Sequence, residues 1–391
     1  MIIDIDAHFE PGPEWLADHP RLAARLPSLP PGEMALDGIA GDLLRDVPRD
    51  QWPAMDSLVP PGLATLFGQE RADEQARQDE FAGRNQFEVA NAGARVQWLD
   101  QQGIDVQNVI CLSAYGYSIF VEDQDLLRET VRACNRWLAD TCDASDGRLL
   151  PVATLHYQDL DWAIEEMTRM RERGSRIFLI PGEPVNGVPP CHPDWDRLWA
   201  AAVDLAMTPM LHIGFEHARF NAGWANLGTD TTALRMIASS QVNAAAQLFV
   251  YAMIYNGVFE RNPKLTLLLA ELGVGWMPFL HKEIDGKIEA ASQLFLGEWN
   301  YPLKPSEYME RNVRGTPLGW GKDTPLDQIM RALPSDMVVF SSDFPHFEGY
   351  VDPMGHYRDV LKSLPKERLQ RFYGGAMQEV YTRMGDPIVA P

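Results

Sequence analysis

The residues Ile2-Ile3-Asp4-Ile5-Asp6-Ala7-His8 decide the expected fold, because apolar and polar side chains alternate along them. A period of two residues is that of a β-strand, here with Ile3 and Ile5 on one face and the polar side chains on the other. Farther along, short apolar runs alternate with longer helical patterns. That alternation is typical of βα units and a parallel sheet. We therefore predict an α/β protein.

The predicted strands share a short apolar run that ends near a polar or turn residue. After the first strand they are residues 106–112, 149–155, 176–180, 209–212, 265–270 and 337–342. A further strand is an open alternative at 312–316. The helix predicted over 123–142 shows an apolar stripe with members three or four residues apart. Seven or eight βα units predict a closed, distorted TIM (β/α)8 barrel, which needs roughly 250 residues.

The rest of the 391 residues fits insertions into that barrel. A proline-rich N-terminal insertion at about 11–85 is predicted to cover the barrel mouth, and further insertions are predicted at about 214–232 and 292–322. No linker rich in glycine or serine divides the chain. Residues 1–391 are therefore predicted to form a single domain.

The charge, the cysteines and the lengths of the apolar runs indicate which partners, redox state and location to expect. Lys and Arg number 34 against 55 Asp and Glu, so the formal net charge is −21, which argues against a nucleic acid or an anionic membrane as partner. The four cysteines form no Cys-X-X-Cys pair and are expected to be reduced. The sequence shows no signal-like start and no apolar run of membrane-spanning length, so a cytoplasmic location is expected.

Polar residues with metal-ligating side chains stand at three strand ends. Asp6 and His8 share one face of the first strand, His212 closes the run 209–212, and the run 337–342 leads to Asp343 and, after a proline turn, to His346. Active sites of parallel α/β barrels lie at the carboxyl ends of the strands, so these side chains are expected to converge. Each residue alone is also compatible with a structural role, as a cap, a core histidine or a turn residue.

A fourth strand end adds an acid, since Glu271 follows the run 265–270. With the turn at 270–276, the segment 304–308 and the Ser-Asp-Phe-Pro-His stretch at 342–346, the sequence resembles the amidohydrolase-2 branch of the amidohydrolase superfamily. That branch includes aminocarboxymuconate-semialdehyde decarboxylase and aromatic-acid decarboxylases. The resemblance covers residues 2–384, is weakest in the 11–85 insertion, and implies a metal-dependent barrel enzyme.

The resemblance implies Asp6, His8, His212 and Asp343 as metal ligands. Two departures stand out: relatives commonly carry His-X-His or Glu-X-His on the first strand, and some carry a catalytic histidine where this chain has Glu271. An alternative first-strand register uses His8 and Glu10. The ligands suit one divalent ion, with zinc as our first prediction and manganese as the alternative.

The implied reaction is non-oxidative decarboxylation of an aromatic or unsaturated carboxylic acid, with Asp343, Glu271 and His346 as catalytic residues. The same ligands also suit a hydrolase of an amide, lactone or carbon–carbon bond that uses metal-bound water. A third alternative is a non-catalytic binding protein on a degenerate barrel. His217 and Arg219 are candidates for holding a substrate carboxylate, although a solvated loop explains them as well. The expected partners are a small carboxylic acid and a second copy of the chain in a homodimer.

Overall fold

The computed structural model describes residues 1–9, 16, 18–26, 91–112, 121–214, 242–294, 297–317, 325–334, 336–346 and 349–389. Within these ranges, seven strands form one parallel sheet in which they lie in sequence order. The strands are β1 (Ile3–His8), β2 (Val106–Ile110), β3 (Leu149–Ala153), β4 (Ile177–Leu179), β5 (Thr208–His212), β6 (Leu267–Ala270) and β7 (Val313–Gly315). The predicted α/β class is confirmed, and the strand order is that of a TIM-like barrel.

Helices connect successive strands, as βα units require. In the described residues they are α1 (Pro20–Ala23), α2 (Ala92–Gln102), α3 (Gln124–Asp143), α4 (Leu160–Glu172), α5 (Asp196–Asp204), α6 (Val242–Tyr255), α7 (Val258–Arg261), α8 (Met277–Gln293), α9 (Pro305–Asn312), α10 (Leu326–Ala332), α11 (Pro353–Val360), α12 (Lys366–Gln370) and α13 (Ala376–Met384). A 3-10 turn at Pro193–Trp195 leads into α5, and a π-helical turn at Arg371–Gly375 leads into α13. None of these helices is both long and apolar enough to cross a membrane.

Helix α3 shows how the sequence fixes an element and its orientation. The side chain of Asp123 accepts hydrogen bonds from the backbone N–H groups of Asp125 and Leu126, which satisfies two of the free donors at the helix start. The four side chains of the predicted apolar stripe are buried, on a helix that packs against β3; they are Leu127, Val131, Cys134 and Leu138. All four cysteines are free thiols, as predicted.

The two edge strands of the sheet are joined by the segment 337–344. On one side the Val339 N–H donates to Gly315 of β7 (3.0 Å). On the other side the Asp343 N–H donates to Asp6 (2.8 Å), and the His8 N–H donates to Phe344 (2.9 Å). The segment therefore contacts the first and the last strand of the sheet.

The prediction of a regular strand at 337–342 is wrong, since the segment forms only isolated bridges to β7 and β1. Two of its backbone donors bond outside the sheet: the Phe340 N–H donates to the Phe372 carbonyl oxygen (3.0 Å), and the Ser342 N–H donates to Asp4 Oδ1 (2.9 Å), with Ser342 Oγ donating to Asp4 Oδ2 (2.5 Å). A backbone donor bonded to a carboxylate is lost to the strand ladder. The open alternative at 312–316 does form a strand, β7.

The predicted insertions lie mostly outside the described residues. Of the segment 11–85, the structure describes only residue 16 and residues 18–26, which include α1. Residues 215–232 lie outside the described residues altogether. The segment 292–322 contains α9 and β7, so its central part belongs to the βα framework.

Gly374 allows the turn before α13 to pack against the chain start, and this contact generates a first prediction. A Cβ at this position would lie 2.3 Å from the Met1 carbonyl oxygen. We expect Gly374→Ala to lower the free energy of unfolding by about 1–3 kcal/mol, because the backbone must move to accept the methyl group. Urea unfolding curves measure the change.

Gly286, in the exposed middle of α8, provides the control. A Cβ there meets no atom within 4 Å, so Gly286→Ala is expected to raise the free energy of unfolding by about 0.5–1 kcal/mol. Equal stability of Gly374→Ala and the parent protein would contradict the close approach of this turn to the first strand.

Candidate metal centre

Six polar side chains converge where the strands end. Strand β1 places Asp6 and His8 on one face, β5 ends at His212, and Glu271 follows β6 directly. Asp343 and His346 come from the end of the segment that joins the two sheet edges. Five of the six are buried, and the side chain of His346 is 24% exposed. The carboxyl ends of the strands thus meet as the sequence predicts.

His8 lies at the centre of this cluster. Its Nε2 atom is 3.4 Å from Asp6 Oδ1, 3.3 Å from Glu271 Oε1 and 3.3 Å from Asp343 Oδ1. Three carboxylates from three separate parts of the chain therefore surround one imidazole nitrogen. The cluster is a candidate cation site, because carboxylates brought so close repel one another unless positive charge lies between them.

His212 approaches the same carboxylates with a defined tautomer. Its Nε2 atom is 3.3 Å from Glu271 Oε1 and 3.6 Å from Asp6 Oδ1. Its Nδ1 atom is 2.7 Å from the Ile213 carbonyl oxygen, which can only accept, so Nδ1 carries the proton. Nε2 is therefore the nitrogen left to bind a metal ion, as in a metal-ligating histidine whose other nitrogen is fixed by a backbone carbonyl.

The candidate ligand atoms form two overlapping groups. One group is Asp6, His8, His212 and Glu271, and the other is His8, Glu271, Asp343 and His346; within each group all ligand atoms lie within 4.8 Å of one another. His8 and Glu271 belong to both groups. The sequence predicts Glu271 as an acid or base, whereas its position makes it a candidate ligand as well.

Asp343 and His346 form a pair on the more exposed side of the cluster. His346 Nδ1 is 3.1 Å from Asp343 Oδ1 and 3.9 Å from Glu271 Oε1. The His346 ring stacks on the ring of His8, with centroids 3.7 Å apart and an angle of 21° between the planes. Asp343 Oδ1 therefore contacts a nitrogen of each of two stacked imidazoles, one buried and one partly exposed.

Burial and charge shift the pKa values in this cluster. Burial and the neighbouring His346 lower the pKa of His8, but the carboxylates of Asp343, Asp6 and Glu271 that face its Nε2 outweigh them and raise it to about 9. Burial raises the pKa of Asp343 and the charge of Glu271 raises it further, well above its ordinary value. Burial is the main cause of the Asp343 shift, and neighbouring carboxylates contribute to both shifts; a divalent cation binds where such negative charge is concentrated.

The backbone is held in an unusual conformation at two of the acids. Glu271 has a φ of +57° and Asp343 a φ of +51°, in the left-handed region that residues with a Cβ seldom adopt. The Glu271 N–H donates to Thr316 Oγ1 (3.0 Å), which holds the turn after β6. Backbone strain of this kind persists where the surrounding structure aims a functional side chain.

A divalent ion fits the atoms that the cluster leaves without hydrogen bonds. Both carboxylate oxygens of Asp6 and of Asp343, together with His212 Nε2, are buried and make no well-formed hydrogen bond with the described residues. Buried polar atoms are rarely left so unless they bind an ion or a substrate. The donors are nitrogen and oxygen atoms without a thiolate, which suits zinc or manganese.

The structure thus brings together Asp6, His8, His212, Asp343, Glu271 and His346, while their roles as ligands or catalysts stay predictions. Glu10 of the alternative register and the substrate candidates His217 and Arg219 lie outside the described residues. Sequence reasoning missed the buried contacts of Asp4, whose place in the alternation of the first strand was the available signal.

Comparisons with known proteins identify the family and the fold. A family model described as Amidohydrolase matches residues 3–382. The gamma-resorcylate decarboxylase of Polaromonas sp. (strain JS666 / ATCC BAA-500) is 25% identical over an alignment of 268 residues, and the match covers 64% of this chain and 76% of the relative.

Two crystal structures share the fold. An amidohydrolase from Mycobacterium avium subsp. paratuberculosis K-10 has a TM-score of 0.69 at 21% identity, over 97% of this chain and 98% of that chain. A dihydroxybenzoic acid decarboxylase from Polaromonas sp. JS666, with bound manganese and the inhibitor 2-nitroresorcinol, has a TM-score of 0.58 at 18% identity, over 97% and 96% of the two chains.

The position of His8 in both candidate groups generates a prediction about metal content. We expect His8→Ala to lose stoichiometric binding of Mn²⁺ or Zn²⁺, because the change removes the one nitrogen that faces all three carboxylates. Metal per chain is measured by inductively coupled plasma mass spectrometry after loading and gel filtration.

His281→Ala is the matched control. His281 lies on α8, where its Nε2 is 2.7 Å from Glu310 Oε1, away from the cluster. The His281→Ala variant should retain the metal content of the parent protein. Full occupancy in His8→Ala would show that the ion binds elsewhere.

Proposed function

Because the chain belongs to the amidohydrolase family, whose model spans residues 3–382, we propose that it is a metal-dependent, non-oxidative decarboxylase of an aromatic or unsaturated carboxylic acid. The observation that carries the proposal is the buried cluster around His8, with the Asp343–His346 pair on its more exposed side. The names of the curated relative and of the manganese-bound structure favour a benzoic acid that bears hydroxyl groups next to the carboxylate.

Asp6, His8 and His212 are proposed as ligands of one divalent ion, with Glu271 or Asp343 completing the set. The ion, when bound, would supply positive charge that holds the substrate carboxylate and an adjacent oxygen. The oxygen-rich donors suit manganese, and the two imidazoles suit zinc equally well. Metal analysis of the purified protein distinguishes the two.

The Asp343–His346 pair is proposed to hold the proton that the reaction consumes. In decarboxylation the bond between the carboxyl carbon and its neighbour breaks, carbon dioxide leaves, and the electron pair of that bond takes up a proton at the neighbouring carbon. The step is redox-neutral and needs no further reactant. Asp343 Oδ1 lies 3.1 Å from His346 Nδ1, and the His346 side chain is 24% exposed, so the pair can exchange a proton with solvent.

The finer architecture is also part of the proposal. We infer that the segment 337–344 serves as the eighth stave of a distorted (β/α)8 barrel, and that residues 1–391 form one domain. The hydrogen bonds of the segment 337–344 to Gly315 on one side and to Asp6 and His8 on the other support its place as the eighth element of the barrel. A closed barrel brings β1 and the last segment side by side, which is what places Asp343 next to His8.

Hydrolysis is the second candidate function, and the Asp343–His346 pair favours it too. An acid held 3.1 Å from an imidazole can take a proton from an attacking water as readily as it can give one to carbon. The two functions differ in the fate of solvent oxygen. Hydrolysis places one oxygen atom from water in the organic product, and decarboxylation places none.

Asp343→Asn tests the proposed proton transfer. We expect it to lower the rate of carbon dioxide release from the best substrate in a panel of hydroxybenzoates by about a hundredfold or more, since an amide cannot donate the proton. The rate is measured on metal-loaded protein with a coupled carbon dioxide assay. Metal content is determined on the same samples, because it separates loss of a ligand from loss of the proton donor.

Asp336→Asn is the matched control, since Asp336 lies seven residues earlier and binds Arg371. It should retain the parent rate. Release of carbon dioxide from no member of the panel, together with ¹⁸O from labelled water in the product of an ester or amide panel, would reject decarboxylation in favour of hydrolysis. An undiminished rate in Asp343→Asn would assign the proton to another group.

A further inference from the structure

A chain of buried polar side chains lies beneath the candidate metal centre. Arg95 on α2, Gln107 on β2 and Asp4 on β1 are all 0% exposed. Arg95 Nη1 donates to Gln107 Oε1 (2.8 Å), and Gln107 Nε2 donates to Asp4 Oδ2 (2.8 Å). A guanidinium and a carboxylate are thus connected through one amide, inside the protein.

This chain of side chains ends on the backbone of the site. Asp4 Oδ1 accepts the N–H groups of Ser342 (2.9 Å) and Asp6 (3.3 Å), and Arg95 Nη2 donates to the His8 carbonyl oxygen (2.8 Å). Asp6, His8 and the residue before Asp343 are therefore all held by the same connected set of hydrogen bonds.

We propose that Arg95, Gln107 and Asp4 are positioning residues for the metal ion, because they fix the backbone that presents Asp6, His8 and Asp343 to one point. The inference rests on the metal site proposed above. It assigns a role to residues that lie outside the ligand set and that belong to α2, β2 and the start of β1.

The cost of burying these groups supports a role beyond stability. A buried ion pair gains little over apolar residues of the same size, since removing each charge from water costs several kcal/mol. Here the charges do not even contact each other directly, because Gln107 lies between them. What the arrangement achieves is directional hydrogen bonding to three backbone positions at once.

Arg95 is itself held in a fixed orientation. Its guanidinium lies over the rings of Phe9 (4.3 Å) and Phe344 (4.8 Å), the residues that follow His8 and Asp343 in the sequence. A planar group in contact with two rings presents its N–H donors in fixed directions, which the flexible ammonium of lysine cannot do. Replacement of Arg95 by lysine therefore keeps the charge and removes the geometry.

The first experiment compares Arg95→Lys with Arg314→Lys. Arg314 is also buried, 2% exposed on β7, but its hydrogen bonds go to the backbone of Glu310 and Val313. We expect Arg95→Lys to weaken Mn²⁺ or Zn²⁺ binding by about tenfold to a hundredfold, the range typical of residues that orient metal ligands. Arg314→Lys should bind within about twofold of the parent. Affinity is measured by competition with a fluorescent chelator. The free energy of unfolding of each metal-free protein is measured in urea alongside.

The second experiment reverses donor and acceptor in the hydrogen bond between the side chains of Gln107 and Asp4. In Asp4→Asn the introduced amide N–H₂ faces the amide N–H₂ of Gln107, and metal affinity should fall. In the double variant Asp4→Asn with Gln107→Glu, the introduced asparagine can donate to the introduced glutamate. That glutamate in turn accepts from Arg95, and the net charge is that of the parent. We expect the double variant to recover most of the lost affinity.

The outcomes separate this inference from the proposed function. A parent protein that binds no divalent metal overturns both. A parent that binds metal while Arg95→Lys binds it equally well, or while the double variant fails to recover affinity, overturns the positioning role and leaves the metal site standing. If Arg95→Lys does not fold, Gln107→Leu replaces it, with the same tenfold or greater loss expected and an unchanged affinity overturning the inference.

Discussion

The mutual repulsion of three buried carboxylates is the constraint on which the rest of the structure depends. Asp6, Glu271 and Asp343 each approach His8 Nε2 to within 3.4 Å, and none of their side chains is more than 4% exposed. At an effective dielectric constant of about 20, two like charges about 4 Å apart repel by roughly 4 kcal/mol. Protons on the imidazoles offset part of this repulsion, and a divalent ion offsets more, because it can contact several oxygens at once.

Repulsion of this size would separate the acids if the backbone were free to move. Asp6 and Asp343 are joined by a backbone hydrogen bond of 2.8 Å. Glu271 and Asp343 both occupy left-handed backbone conformations, which non-glycine residues adopt at a cost of about 1–3 kcal/mol. The backbone therefore keeps the acids together at a cost in conformational energy, and the proposed cation would offset that cost.

The sequence predicts the parts of this site that depend on local patterns. Alternation places Asp6 and His8 on one face, and His212 and Asp343 follow apolar runs that end at the same edge of a parallel sheet. Glu271 is predictable only as an acid in the same layer, because its direction depends on a backbone conformation that no local pattern encodes. Arg95 is not predictable in this way, since its partner His8 is 87 residues away and its apolar surroundings are set by tertiary packing.

The irregular last segment, where the sequence predicts a strand, follows from the needs of the site. A regular strand through residue 343 would hold Asp343 in the extended region and point successive side chains to opposite faces. Because Asp4 accepts the Ser342 N–H, that donor is satisfied without a strand partner, and the chain can turn at Asp343 with a φ of +51°. The turn is then closed by the His346 N–H, which donates to the Asp343 carbonyl oxygen (2.9 Å) and brings the His346 ring over His8. Asp4 on the first strand thus binds the last segment at Ser342, one residue before the proposed catalytic pair begins, and the same carboxylate is the end of the buried chain from Arg95.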